Sequence, residues 1–78
     1  MFYKISDSHP GKVIWCENYN TRFPASSLEE CIQVACARGF TAFNFKAPNE
    51  CWPKPCVQGN VQFRYLSGYD IYAQLGIM

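Results

Sequence analysis

SLEECIQVACARGFTAFNFKAPNECWPKPC, residues 27 to 56, reads as a capped helix, an aromatic strand, a turn and a return strand. Ser27 is placed to cap the backbone N–H of Glu30, and the Glu30 carboxylate to reach back, in a Ser-x-x-Glu capping box. Glu29 and Glu30 occupy the first turn, where the helix dipole favours negative charge. Arg38 falls in the last turn, and Gly39 is placed to end the helix. Leu28, Cys31, Ile32, Ala35 and Cys36 recur at the spacing of one buried stripe. At about 100° per residue, Cys31 and Cys36 stand about 140° apart, so they face different neighbours and predict two separate tethers. Thr41, Phe43 and Phe45 then alternate with Ala42, Asn44 and Lys46, as in a half-buried strand. Ala47-Pro48-Asn49-Glu50 makes the turn. Cys51 and Trp52 begin the return strand, and Pro53 and Pro55 are expected to end its regular pairing.

Outside this stretch the same patterns recur more weakly. Residues 2 to 6 and 12 to 16 are short strand candidates around a Ser-His-Pro-Gly turn, and the polar segment 17 to 26 reads as a loop. Val61, Phe63 and Tyr65 alternate with Gln62, Arg64 and Leu66. After a Ser67-Gly68 turn, Tyr69, Ile71, Ala73 and Leu75 oppose Asp70, Tyr72 and Gln74. The expected fold class is α+β: one helix packed on an antiparallel sheet of about four to six strands. It forms a single domain over 1–78, with its core over residues 16 to 74.

A chain of 78 residues is near the size at which one hydrophobic core is marginal without staples. Its five cysteines suggest those staples and an oxidising compartment. Zinc would want Cys-x2-Cys knuckles or a Cys/His quartet, whereas successive cysteines here are separated by 14, 4, 14 and 4 intervening residues, with one remote histidine. Neither metal nor cofactor is therefore expected. The formal charge of +1 and the lack of a basic run argue against nucleic acid and a polybasic membrane patch. No apolar stretch is long enough to cross a membrane. The first residues lack the apolar run of a signal peptide, so the disulfide reading implies a signal removed or a module cut from a larger secreted chain.

Ser-Leu-Glu-Glu-Cys opening a helix, a second helix cysteine, Phe-Thr-Ala-Phe-Asn-Phe, Cys-Trp-Pro-Lys and a closing Gly-Tyr-Asp-Ile-Tyr follow one another in order. Together they resemble the PAN/apple domain over Cys16 to Gln74. The resemblance implies an extracellular fold with its helix cross-linked to a central antiparallel sheet. It also implies binding to glycans or proteins, in lectins, adhesins, plasma proteins and receptors. Three departures stand out. The helix cysteines have four residues between them rather than the family's usual three, Phe40 replaces the cysteine three residues before Phe43, and no cysteine closes the C-terminus.

The resemblance implies a Cys31–Cys51 bond and is silent on Cys16, Cys36 and Cys56. Cys36 faces away from Cys31, and Cys56 lies just beyond the Cys51 strand. Cys36–Cys56 is therefore the expected second bond, leaving Cys16 free or available for a homodimer. Cys16–Cys56 is the runner-up, since it would mimic the terminal bond of apple domains.

Catalytic constellations are missing: there is no Gly-x-Ser-x-Gly elbow, phosphate loop or His-Glu-x-x-His, and His9 sits in a turn. The chain is read as a binding protein, not an enzyme. Trp15, Trp52, Tyr65, Tyr69 and Tyr72 offer flat faces with polar handles. Trp52, Phe43, Phe45 and Phe63 are assigned to the core by their alternation. Asn44, Lys46, Lys54, Arg64 and Tyr72 are expected to face outward and make contact with ligand. The partner is a glycan, in a secreted lectin- or adhesin-like module, or alternatively an extracellular protein in attachment or assembly.

Overall fold

A computed structural model describes all 78 residues. Seven short strands and one helix run in the order β1 (Tyr3–Lys4), β2 (Lys12–Trp15), β3 (Phe23–Pro24), α1 (Leu28–Ala37), β4 (Ala42–Lys46), β5 (Glu50–Lys54), β6 (Gln62–Tyr65) and β7 (Asp70–Ala73). Five of them form an antiparallel sheet in the order β1-β7-β4-β5-β3, while β2 and β6 pair as a separate two-stranded ribbon. The α+β, disulfide-linked class expected from sequence is the observed one.

The helix forms where its caps place it. The Ser27 hydroxyl accepts from the Glu30 N–H at 3.2 Å. The Glu30 carboxylate, however, reaches one residue further back than the capping box predicts, accepting from the Ser26 N–H at 2.6 Å and from the Ser26 hydroxyl. These bonds, the hydroxyl's first, hold the Glu30 carboxyl below its ordinary range. At the other end Gly39 adopts φ +74°, a left-handed turn that glycine enters without steric cost. Gly39 N–H then donates to Cys36 O and Phe40 N–H to Ala35 O, the paired bonds of a Schellman stop.

Sheet parity decides what each face meets. Cys31, Ala35, Phe43, Phe45 and Cys51 pack together beneath the helix, which buries the odd-numbered positions of β4 and β5. The even-numbered positions meet a second layer. Ile14, Cys16, Ala42, Cys56, Ile71, Ala73 and Ile77 form another buried cluster where the β2–β6 ribbon lies across the sheet. All of Ala42 to Phe45 is consequently buried, although the alternation alone predicts a half-exposed strand.

Each face carries one disulfide. Cys31–Cys51 ties helix to sheet, and Cys16–Cys56 ties ribbon to sheet. Cys36–Cys56 is therefore corrected, and so is a free Cys16: the unpaired thiol is the exposed Cys36. The reason is parity. Cys51 and Cys56 are an odd number of residues apart on one extended segment, so they address opposite faces. Cys36 stands on the exposed edge of the helix and bonds no other cysteine.

Three smaller differences share a cause in strand partnering. The loop at 17–26 contains β3, which pairs Phe23 with Cys51 and Pro24 with Glu50. Because β3 begins only at Phe23, opposite Cys51, β5 is an edge strand from Trp52 onward, where a proline is tolerated, and its pairing with β4 runs through Pro53 to Lys54. Strands β1 and β2 do not form a hairpin; they pair with β7 and β6. Of the four aromatics assigned to the core, Phe43 and Phe45 are buried, whereas Trp52 and Phe63 are only half-buried.

Candidate functional site

The ribbon does not cover its face of the sheet completely. Between the ribbon and the sheet lies a cleft of about 170 Å³, with Val13, Trp15 and Leu66 on the ribbon side and Asn44, Trp52, Lys54 and Tyr69 on the sheet side. Asn20, from the loop after β2, lies at its edge. The volume is below the ~300–1,000 Å³ of sites for drug-sized ligands, so the cleft suits one ring or one side chain.

Two of its aromatic walls share an anchor. The Glu50 carboxylate accepts from the Tyr69 hydroxyl at 2.8 Å and from the Trp52 indole N–H at 3.4 Å. Register explains the arrangement: Glu50 and Trp52 are two apart on β5 and share a face, and Tyr69 enters β7 on the far side of β4. The Tyr69 bond leads in holding the Glu50 carboxyl below its ordinary range, helped by Trp52, Arg22 and Lys46 against a smaller desolvation effect. Burial, then the bond to Glu50, raises the Tyr69 phenol.

The third aromatic wall is Trp15, and it is flanked by cations. Lys54 Nζ lies 4.0 Å and the Arg64 guanidinium 4.3 Å from its ring, within cation–π range. Lys54 is only 1% exposed, and its ammonium donates to the carbonyl of Tyr19 and to Asn20 Oδ1. Burial, with the charge of Arg64 second, lowers its pKa to about 8. The Trp15 indole N–H is buried without an acceptor.

Four of the five predicted contact residues converge here, though not as outward-facing groups. Asn44 and Lys54 line the cleft but are buried, correcting their expected exposure: the ribbon roofs the even face of β4 and β5. The exposed Lys46 and Arg64 stand at the rim, with Lys46 Nζ 5.7 Å from the Tyr69 ring and Arg64 against Trp15. Tyr72 belongs to the opposite face. Its ring stacks on Phe43 at 4.9 Å in the helix-side cluster, and burial leads in raising its phenol pKa. Sequence reading missed Glu50 and Asn20. The Glu50-x-Trp52 spacing was the available signal for the first, and the loop around Asn20 offered none. His9 lies flat on Phe63 at 3.7 Å, a packing role in its turn.

Compared with protein-family models, with curated proteins and with solved structures, the chain matches none.

Proposed function

We propose that this chain is an extracellular binding module whose cleft holds a single sugar ring, and that it is not an enzyme. The observation that carries the reading is the Glu50 anchor, which fixes Trp52 and Tyr69 before any ligand arrives. A pyranose has an apolar C–H face that packs on an aromatic ring and a rim of hydroxyls that needs a few fixed polar groups. Lys54 and Asn20, both lining the cleft, supply such groups beside the rings. Pre-positioned walls reduce the ordering cost that makes small ligands bind weakly.

Two further points support the reading. The pair of disulfides fits an oxidising compartment outside the cell. The helix-to-sheet Cys31–Cys51 bond is the one that resemblance to PAN/apple domains implies, and such domains bind glycans or proteins. Cys16–Cys56 differs from the bond that joins the ends of apple domains, since it joins the ribbon to the sheet.

A second reading, a protein-binding module, is favoured by Tyr65, which is 85% exposed beside the exposed Leu66 at the end of β6. A glycan array read beside a pull-down from extracellular extract separates the two. Loss of array binding in Trp52→Ala, with Tyr65→Ala unaffected, supports the sugar site. An empty array with a pull-down abolished by Tyr65→Ala supports the protein partner and sinks the sugar reading.

A further inference from the structure

We infer that the cleft selects an acidic sugar, a pyranose whose carboxylate sits against Lys54 and Arg64. This rests on the sugar-binding reading above and names the class of ring. The argument begins from a charge imbalance. Lys4–Asp70 is the only ion pair in the chain, so neither Lys54 nor Arg64 has an acidic partner. Both nevertheless stand within 4.3 Å of the one Trp15 ring. Burying a cation is costly unless it is paired, and a second cation beside it adds repulsion.

Hydrogen-bond capacity points the same way. The Lys54 ammonium has three donors and directs two of them to Tyr19 O and Asn20 Oδ1, leaving one. Arg64, at the exposed rim, donates none of its five N–H groups within the chain. Glu50, whose Oε1 accepts from Tyr69 and Trp52, forms no ion pair with either cation. The cleft therefore brings charged donors with spare capacity, Lys54 from the sheet side and Arg64 from the rim of the ribbon side, close to the fixed rings of Trp52 and Tyr69.

A carboxylate on a six-membered ring complements both sets of groups. Its two oxygens match the planar fork of Arg64, the geometry in which arginine binds acids most strongly. The ring is then left against Trp52 and Tyr69. A neutral sugar gains only the second set of contacts, and a simple carboxylate only the first.

Matched sugars that differ in one group make the test. Methyl glucuronide and methyl glucoside differ only in a carboxylate for a hydroxymethyl, and the galacturonide and galactoside pair repeats the comparison on a second ring. Titration of 15N-labelled protein, followed at the indole N–H signals of Trp15 and Trp52, should show one uronide binding at least about 10-fold more tightly than its neutral partner, the scale of one charge-assisted hydrogen bond. Arg64→Gln, at an exposed position, should reduce that preference to within about 3-fold without loss of fold. Lys54→Met gives the same comparison at the buried cation. Equal binding of uronide and neutral sugar overturns the inference and leaves the sugar reading standing. Acetate binding as tightly as the uronides overturns it too, because the cleft would then read charge alone. Binding of neither pair overturns both the inference and the reading beneath it.

Discussion

The side-chain amide of Asn44 pairs with both backbone polar groups of Ile14, accepting from its N–H at 2.8 Å and donating to its carbonyl at 3.0 Å. An asparagine in the central strand thus bonds the ribbon as a neighbouring strand's backbone would, but through the face of the sheet. Both partners are buried, so no water replaces either bond.

Asn44→Leu should therefore be severe despite its similar size. It strands a buried donor and a buried acceptor, each costing about 1–3 kcal/mol, and denaturant unfolding should show a loss of about 2–6 kcal/mol. Asn44→Asp keeps the acceptor for Ile14 N–H but sets a carboxylate against Ile14 C=O. That variant should regain stability as pH falls and the acid protonates to become a donor. A loss below about 1 kcal/mol for Asn44→Leu would show that the ribbon is held by apolar packing alone.

The cysteines give an independent check on the two-layer design. In the chain-entropy account, a crosslink spanning 40 residues is worth about 4 kcal/mol and one spanning 20 about 3 kcal/mol. Cys16→Ser and Cys31→Ser should each lower the melting temperature by about 10 °C or more for a domain of this size. Cys36→Ser should leave it nearly unchanged and remove any covalent dimer formed on storage. A large loss from Cys36→Ser with none from Cys16→Ser would reverse the pairing described.

How far the sequence carried the reading depends on which layer is asked about. Helix, N-cap and central strand were legible because each is written locally, in a capping serine, a period of 3.6 or a period of 2, whereas Cys31–Cys51 came from the resemblance to PAN/apple domains. The ribbon was not: the alternation at 12–15 and 61–65 marks strands but names no partner. Missing that layer carried two errors with it, the exposure of Asn44 and Lys54 and the partner of Cys56. Counting parity along residues 50 to 56 would have corrected the second, since an odd separation sends Cys51 and Cys56 to opposite faces. Lys46 and Arg64 are exposed, as their alternation predicts.

Lys54 makes stability depend on alkaline pH. Its folded-state pKa of about 8 lies below the roughly 10.4 of a lysine in an unfolded chain. Between those values the unfolded chain binds more protons, so stability rises with pH and is lost again as pH falls through about 8. The raised phenols of Tyr69 and Tyr72 act in the opposite sense above about pH 10, which confines the Lys54 effect to roughly pH 8 to 10. Urea midpoints measured across that window in a Cys36→Ser background, to prevent thiol exchange, should climb. Adding Lys54→Met should flatten the climb. An unchanged slope in that variant would assign the effect to another group.

Tyr69→Phe tests the anchor of the cleft. The phenol hydroxyl is the leading cause of the lowered Glu50 pKa, so its removal should let that carboxyl return toward its ordinary value. In the wild type, the depressed Glu50 contributes stability that persists above its unfolded-state value and is lost as pH falls through the folded one. Tyr69→Phe should therefore begin to lose this contribution at a higher pH, and 13C titration of the Glu50 carboxyl should show the shift directly. Glu30 also titrates low, through Ser26, so a Ser26→Ala variant separates the two acid-sensitive sites. Because Trp52 shares the same carboxylate, its indole N–H signal should move with the Glu50 titration in both proteins. A Trp52 signal indifferent to that titration would mean that the carboxylate does not fix the ring, and the cleft would lose its pre-positioned wall.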